Sequence, residues 1–141
     1  MRGAPCLALA LAAVACSSPT DSSPTSIVMV GQWTYSATQT SPVAATLSGV
    51  LTVSQQTGRT FAGSLDATQQ DALGNVTHLS GVVSGQVVDT TGIEFSVQIG
   101  LDGRQHLGSL ARDTVRGAWV DQGSGGVMSS GSFTAASRTG T

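Results

Sequence analysis

From Ile27 onward, no stretch of this chain repeats its apolar residues every third or fourth place; they fall on alternate places, which is the period of a strand. Leu47, Leu51 and Val53 share one parity, as do Phe61 and Leu65, then Leu79, Val83 and Val87, then Ile93, Phe95, Val97 and Ile99, then Val115 and Trp119. Between them fall Ser48, Thr52, Ser64, Asp66, Ser80, Glu94, Ser96, Gln98 and Arg116. Successive side chains of a strand face opposite sides, so each segment has one apolar and one polar face. The turn signals "QQTGR", "QDALGN", "DTTG", "LDGR", "ARDT" and "DQGSGG" then divide the chain into strands at about 28–37, 45–55, 59–69, 76–88, 92–100, 104–111, 114–121 and 127–137. The links are hairpin-short except the "TQTSPVA" loop over 38–44, and short links build a meander.

A meander with one apolar face must stack on something or curl until it covers itself, and the sequence predicts no helix to stack on. The fold class read here is therefore all-β: a single eight-stranded antiparallel up-and-down β-barrel over residues 27–141. A recurrent figure, glycine two places before a bulky side chain, agrees with closure. It appears as "GQW" at Gly31, "GVL" at Gly49, "GSL" at Gly63 and Gly108, "GVV" at Gly81, "GAW" at Gly117 and "GSF" at Gly131. In each case both residues share the inward face, and a small barrel lacks room for a large side chain at every inward position. Glycine also lets a strand coil sharply, as closure demands. The sixth strand fits two registers. With Gly108 and Leu110 inward, His106 and Arg112 follow; with Leu107 inward both are solvated, and this second register is the expectation.

At 141 residues the chain has room for one self-sufficient domain. Charged residues are 10% of it and the net charge is −2, so there is no basic field for phosphates and no nucleic acid is expected as partner. Both cysteines, Cys6 and Cys16, precede the strands, which leaves the barrel without a thiol for a disulfide, a zinc site or nucleophilic catalysis.

The chain begins "MRGAPCLALALAAVACSS", where Arg2 precedes an apolar run from Ala4 to Val14 that is too short for a permanent membrane helix and suits an export signal over 1–15. Its end, "AVAC", resembles the bacterial lipobox, which implies cleavage before Cys16 and lipidation of that thiol, a membrane anchor. An ordinary signal peptidase cut after Ala15 fits the same place. Ser17 after the cysteine, by analogy with lipoproteins of Gram-negative enterics, implies sorting to the outer membrane. Residues 16–26 then form a tether: "SSPTDSSPTS" has no apolar residue to offset its ordering entropy. About ten residues at roughly 3.3 Å each reach ~30 Å, enough to hold a domain clear of headgroups.

Catalytic signatures are few. There is no Gly-x-Ser-x-Gly elbow, phosphate loop or His-Glu-x-x-His helix, and "GSGG" at 123–126 has no helix after it. His78 and His106 have no second ligand at a metal-binding interval, so no metal and no cofactor is expected, and each histidine reads as an exposed strand residue. The carboxylates Asp66, Asp71, Asp89, Glu94, Asp102, Asp113 and Asp121 fall mostly at turns or on the polar face. A membrane-spanning barrel shares the alternation but needs aromatic girdles, and the aromatic residues are only Trp33, Tyr35, Phe61, Phe95, Trp119 and Phe133.

"GQW" in the first strand, followed by an eight-strand meander, is similar to the calycin group, the lipocalins and avidin-like proteins. Lipocalins pair that tryptophan with an arginine beyond the last strand, which implies structural roles for Gly31, Trp33 and Arg138 in closing one end. "GRTFAGSL", "TTGIEFSVQI" and "VRGAWV" resemble avidin strands, the last carrying a pocket tryptophan that here is Trp119, while Ile99 and Leu107 stand where avidin-like proteins offer further tryptophans. The resemblance thus implies a barrel and does not imply biotin binding.

The functional expectation is an exported lipoprotein of the cell envelope, not an enzyme, that binds a small apolar or amphiphilic ligand at the barrel mouth. Trp119, Tyr35 and Phe95 would give contact area and His106 a polar contact. The alternative is an interaction or inhibitor protein of the envelope with a packed barrel that binds a protein partner through its loops. An open lumen favours the first and a filled one the second.

Overall fold

The computed structural model describes residues 26–123 and 125–139; Cys16, the signal segment and the tether before Ser26 lie outside the described residues. Eight strands follow in order: β1 (Gly31–Ser41), β2 (Ala45–Thr57), β3 (Thr60–Asp71), β4 (Val76–Val87), β5 (Gly92–Ile99), β6 (Asp102–Ala111), β7 (Thr114–Gly123) and β8 (Gly126–Ser137). Each pairs antiparallel with the next, and β8 returns to pair with β1, so the sheet is a closed barrel. The closing seam runs from Trp33 opposite Ser137 to Gln39 opposite Gly131, with a bulge before Ser41 pairs Ser130. Among the described residues no unpaired strand edge is left to template aggregation.

The expected parity holds along the wall. Leu47, Leu51, Val53, Phe61, Leu65, Val83, Val87, Ile93, Phe95, Val97, Val115, Trp119 and Phe133 are buried in one core, while Ser48, Thr52, Ser64, Asp66, Ser80 and Arg116 face out. The outer wall is thus polar and the interior apolar, the reverse of a barrel that faces lipid.

The glycine figure has a second dimension. Across the ladder, inward glycines stand opposite bulky inward residues: Gly49 opposite Tyr35, Gly81 opposite Leu65, Gly63 opposite Val83, Gly85 opposite both Phe61 and Phe95, Gly108 opposite Ile93, Gly117 opposite Phe133, and Gly131 opposite Trp119. At Gly85 the Phe61 and Phe95 side chains, and at Gly131 the Trp119 indole, occupy the space that the missing Cβ leaves. The backbone uses that space too, since a Cβ at Gly63, Gly117 or Gly131 would overlap the neighbouring strand's carbonyl at Thr52, Leu107 or Thr38. At these positions the neighbouring backbones approach too closely for any side chain.

Two expectations change. The first strand begins at Gly31, not near residue 28, and runs to Ser41, which shortens the long loop. Residues 26–30 instead cross the lower end as a plug: Met29 is fully buried, its N–H donates to Gln56 Oε1 at 2.7 Å, and Gln56 Nε2 donates to the Ile27 carbonyl at 2.8 Å. Gly31, at φ 134°, makes the turn from plug to strand. The register of β6 is also the reverse of the one expected. Leu107 is 63% exposed and His106 is fully buried, because Gly108 faces in.

Candidate functional site

The two ends of the barrel differ. The lower end is closed by the plug, where the Trp33 indole N–H donates to the Met29 carbonyl at 2.8 Å. Arg138 is not stacked there. Its backbone N–H donates to the Gln32 carbonyl and its Nε to Thr34 Oγ1 at 3.1 Å on the outer face. Arg138 thus bonds the residues on either side of Trp33, while the indole N–H itself is matched by the plug's carbonyl.

Above the plug the lumen is filled by an aromatic layer. His106 stacks on Phe95 with ring centroids 4.3 Å apart and planes within 9°, meets Phe133 edge-on at 4.9 Å, and has Trp119 at 6.5 Å. Tyr35 lies 6.2 Å from Phe133 and places its hydroxyl 2.9 Å from His106 Nε2. His106 Nδ1 is 3.2 Å from the Arg104 carbonyl, which only accepts; the proton therefore sits on Nδ1, and Nε2 accepts from the Tyr35 hydroxyl. Burial pushes His106 down to about 3, assisted by the Arg104 charge and opposed by the Arg104 carbonyl, so the ring is neutral at ordinary pH. Burial likewise pushes the Tyr35 phenol upward. Both side chains are thereby held uncharged, with every hydrogen-bonding atom of the pair used. They form a satisfied polar core and do not point to acid–base work.

This arrangement makes stability depend on pH. The folded His106 titrates far below its ordinary value of 6.5, so between those values the unfolded chain binds the extra proton. The contribution is complete above pH 6.5 and is lost as pH falls toward 3, at about 1.4 kcal/mol per pH unit. Chemical denaturation at pH 7, 6, 5 and 4.5 is expected to show this slope, and His106→Leu is expected to flatten it. An unchanged slope in that variant would assign the acid sensitivity elsewhere.

One layer higher, at the upper end, the interior turns polar. Arg104 and Asp121, each two residues from the strand end nearest the mouth, are directly paired across β6 and β7. Arg104 Nε donates to Asp121 Oδ2 at 3.2 Å, its Nη2 reaches Gln69 Oε1 at 3.5 Å, and its Cζ lies 4.9 Å from the centre of the Trp119 ring. Arg104 and Asp121 retain 9% and 8% exposure, whereas Tyr35 and Phe95 below them are sealed at 1% and 2%. This polar layer is therefore the floor of the mouth. Ser129, paired with Asp121 across β7 and β8, is the third polar residue buried at this level. Two buried atoms here have no hydrogen-bond partner among the described residues, Trp119 Nε1 and Asp121 Oδ1.

Around the floor, the turns and strand ends at this end carry large exposed apolar side chains: Val43, Leu73, Val76, Leu101, Val127 and Met128. Leu73 is 88% exposed on a turn that Asp71 braces, since Asp71 Oδ1 accepts from the N–H groups of Leu73 and Asn75 at 2.9 Å each, and Asn75 Nδ2 donates to Oδ2 at 2.8 Å. These bonds, led by that of the Asn75 side chain, hold the Asp71 carboxyl below the usual range. The apolar tip is thus presented on a fixed frame.

Of the residues chosen from sequence, Trp119 reaches the underside of this floor. Tyr35, Phe95 and His106 come together with it but lie beneath, as its support. Gly31, Trp33 and Arg138 are at the opposite end. Sequence reasoning missed Arg104 and placed Asp121 with the solvated carboxylates. The signal was present, for the parity that turns Val115 and Trp119 inward also turns Asp121 inward. His78 is exposed, as expected, 2.7 Å from Asp66 on the outer wall. The grooves of the outer wall, such as the one lined by Ser64, Asp66, Ser80, Gly81 and Gln98, are shallow and lie over glycines.

No known family's sequence profile matches the chain, and no curated protein sequence does. Solved structures do. The chain is similar to EF1p2_mFAP2b, solved bound to DFHBI, with TM-score 0.61 and 11% identity over 77% of this chain and 93% of that one. It is similar to the redesigned β-barrel mFAP1, also bound to DFHBI, with TM-score 0.56 and 14% identity over 76% and 93%. A de novo designed fluorescence-activating β-barrel matches with TM-score 0.54 and 15% identity over 82% and 98%. By fold, the chain is similar to these designed barrels.

Proposed function

We propose that this chain is an exported, lipid-anchored, non-catalytic protein of the bacterial cell envelope whose barrel mouth binds a small amphiphilic molecule. The observation that carries the reading is the pairing of an apolar rim, Leu73, Val76, Leu101, Val127 and Met128 among it, with a polar floor of buried Arg104, Asp121 and Ser129 and half-buried Gln69. Such a mouth matches a molecule with an apolar body and a polar end. Barrels of the same fold that carry DFHBI lend support. The filled aromatic layer confines the ligand to the mouth. The neutral, locked His106–Tyr35 pair and the ion-paired Arg104 support a binding role without catalysis.

Lipidation at Cys16 rests on "AVAC". The plug emerges at the lower end, where Arg59, Arg112 and Arg138 are exposed at turns. That end would face anionic headgroups and the mouth would face away. A second reading, a protein partner docked on the loops, is favoured by the exposure of the same apolar tips and by the filled lumen.

Native mass spectrometry on protein purified from its own host tests the main reading. The expected spectrum shows loss of residues 1–15, a diacylglyceryl-type addition at Cys16, and a retained small molecule that Leu101→Asp releases. Retention of a protein and no small molecule would favour the second reading.

A further inference from the structure

We propose that the mouth selects ligands whose polar end is a neutral group that both donates and accepts a hydrogen bond, a hydroxyl or a primary amide, in preference to a carboxylate or an ammonium. This rests on the reading of the mouth as a ligand site. It starts from the two buried atoms that have no partner among the described residues. Trp119 Nε1 is a donor only, and Asp121 Oδ1 is an acceptor only. The two side chains flank one guanidinium: Arg104 Nε holds Asp121 Oδ2 at 3.2 Å, and Arg104 Cζ lies 4.9 Å from the Trp119 ring centre. Trp119 is 1% exposed and Asp121 8%, so neither atom is left to bulk water, and a buried polar group without a partner is costly.

The complement follows from donor and acceptor counts. A carboxylate only accepts; it satisfies the indole N–H but sets a second negative charge beside Asp121, whose lone pair stays unmatched. An ammonium only donates; it satisfies Asp121 Oδ1, leaves the indole N–H orphaned and adds a positive charge beside Arg104. The guanidinium and the carboxylate already neutralise each other, so the floor offers no net charge to attract an ion. A hydroxyl or primary amide supplies one acceptor and one donor and brings no charge. Its apolar chain then runs up toward Leu101, Val127 and Met128, since Arg104 and Asp121 each stand about 7 Å below the strand ends.

The test uses the mature chain and three probes of equal length: 1-octanol, octanoate and octylammonium at pH 7, followed by tryptophan fluorescence, with Trp33 at the far end as a constant background. Octanol is expected to bind at least about tenfold tighter than either ion. Trp119→Phe removes the donor while keeping an aromatic ring beside Arg104 and is expected to weaken octanol about tenfold, read by calorimetry, with octylammonium unchanged. Asp121→Asn frees the guanidinium and is expected to turn the preference toward octanoate. Equal or tighter binding of octanoate by the unaltered chain, or octanol binding indifferent to Trp119→Phe, would overturn the head-group selection while leaving the mouth site intact. Binding of none of the three would overturn the ligand reading itself and this inference with it.

Discussion

Gly117→Ala is expected to destabilise the protein by roughly 3 kcal/mol or more, out of proportion to the single methyl it adds. The added Cβ would overlap the Leu107 carbonyl and fall 2.5 Å from the Cα of Gly108 on the paired strand. Backbone atoms of a hydrogen-bonded strand have no rotamer to change, so β6 and β7 must separate there, and Phe133, whose ring end lies against Gly108 on the displaced strand, is disturbed with them. Gly131→Ala meets the Thr38 carbonyl and the Trp119 indole in the same way at the closing seam and is expected to cost as much. Gly103→Ala is the control, for its Cβ would lie 3.6 Å from the flexible end of Gln98, and a change within about 0.5 kcal/mol is expected. Urea denaturation of the three variants checks this. Equal midpoints for Gly117→Ala and Gly103→Ala would show that the glycines are not what closes the wall.

Arg104→Met is expected to cost about 3–5 kcal/mol, because it leaves Asp121 as an uncompensated charge in a site where both partners are nearly nine-tenths shielded. The double variant Arg104→Met with Asp121→Leu is expected to recover most of that loss, since replacing a whole buried pair by apolar side chains is often neutral. If the pair exists for stability alone, the double variant should lose nothing else. A mouth that uses this pair as its floor should instead lose ligand binding while keeping its fold. Denaturation midpoints and octanol titration of the single and double variants together separate those outcomes.

The closed meander was legible in the sequence because it rests on local signals. Alternation sets each strand's faces, and turn residues set its ends, so that the parity expected for Leu47 through Leu65 and for Ile93 through Ile99 is the parity observed. The β6 register was not legible. Leu107 and Leu110 lie on opposite faces of that strand, and its own apolar residues do not choose between them. What decides is contact from other strands: Phe95 stacked on His106, and Tyr35, 71 residues away, bonded to it. Burying a histidine is unfavourable until both of its nitrogens are matched, and no short window of sequence contains both matches. The plug eluded the reading for a similar reason. Val28 and Val30 alternate with Met29 like strand residues, yet Gln56 on β2 takes the backbone bonds that a ladder would have used. At the candidate site, strand parity alone could have found Asp121; the ion pair with Arg104 adds only that two inward positions of one hairpin carry opposite charges.

The mouth is most directly tested by titrating the isotope-labelled mature chain with 1-octanol and following backbone amide shifts by NMR. The expected result is a set of changes confined to Val43, Leu73, Val76, Leu101, Val127 and Met128 and to Arg104, Trp119 and Asp121 beneath them, with Met29, Arg59 and Val87 at the plugged end unmoved. Changes centred on the plugged end or spread over the outer wall would contradict it.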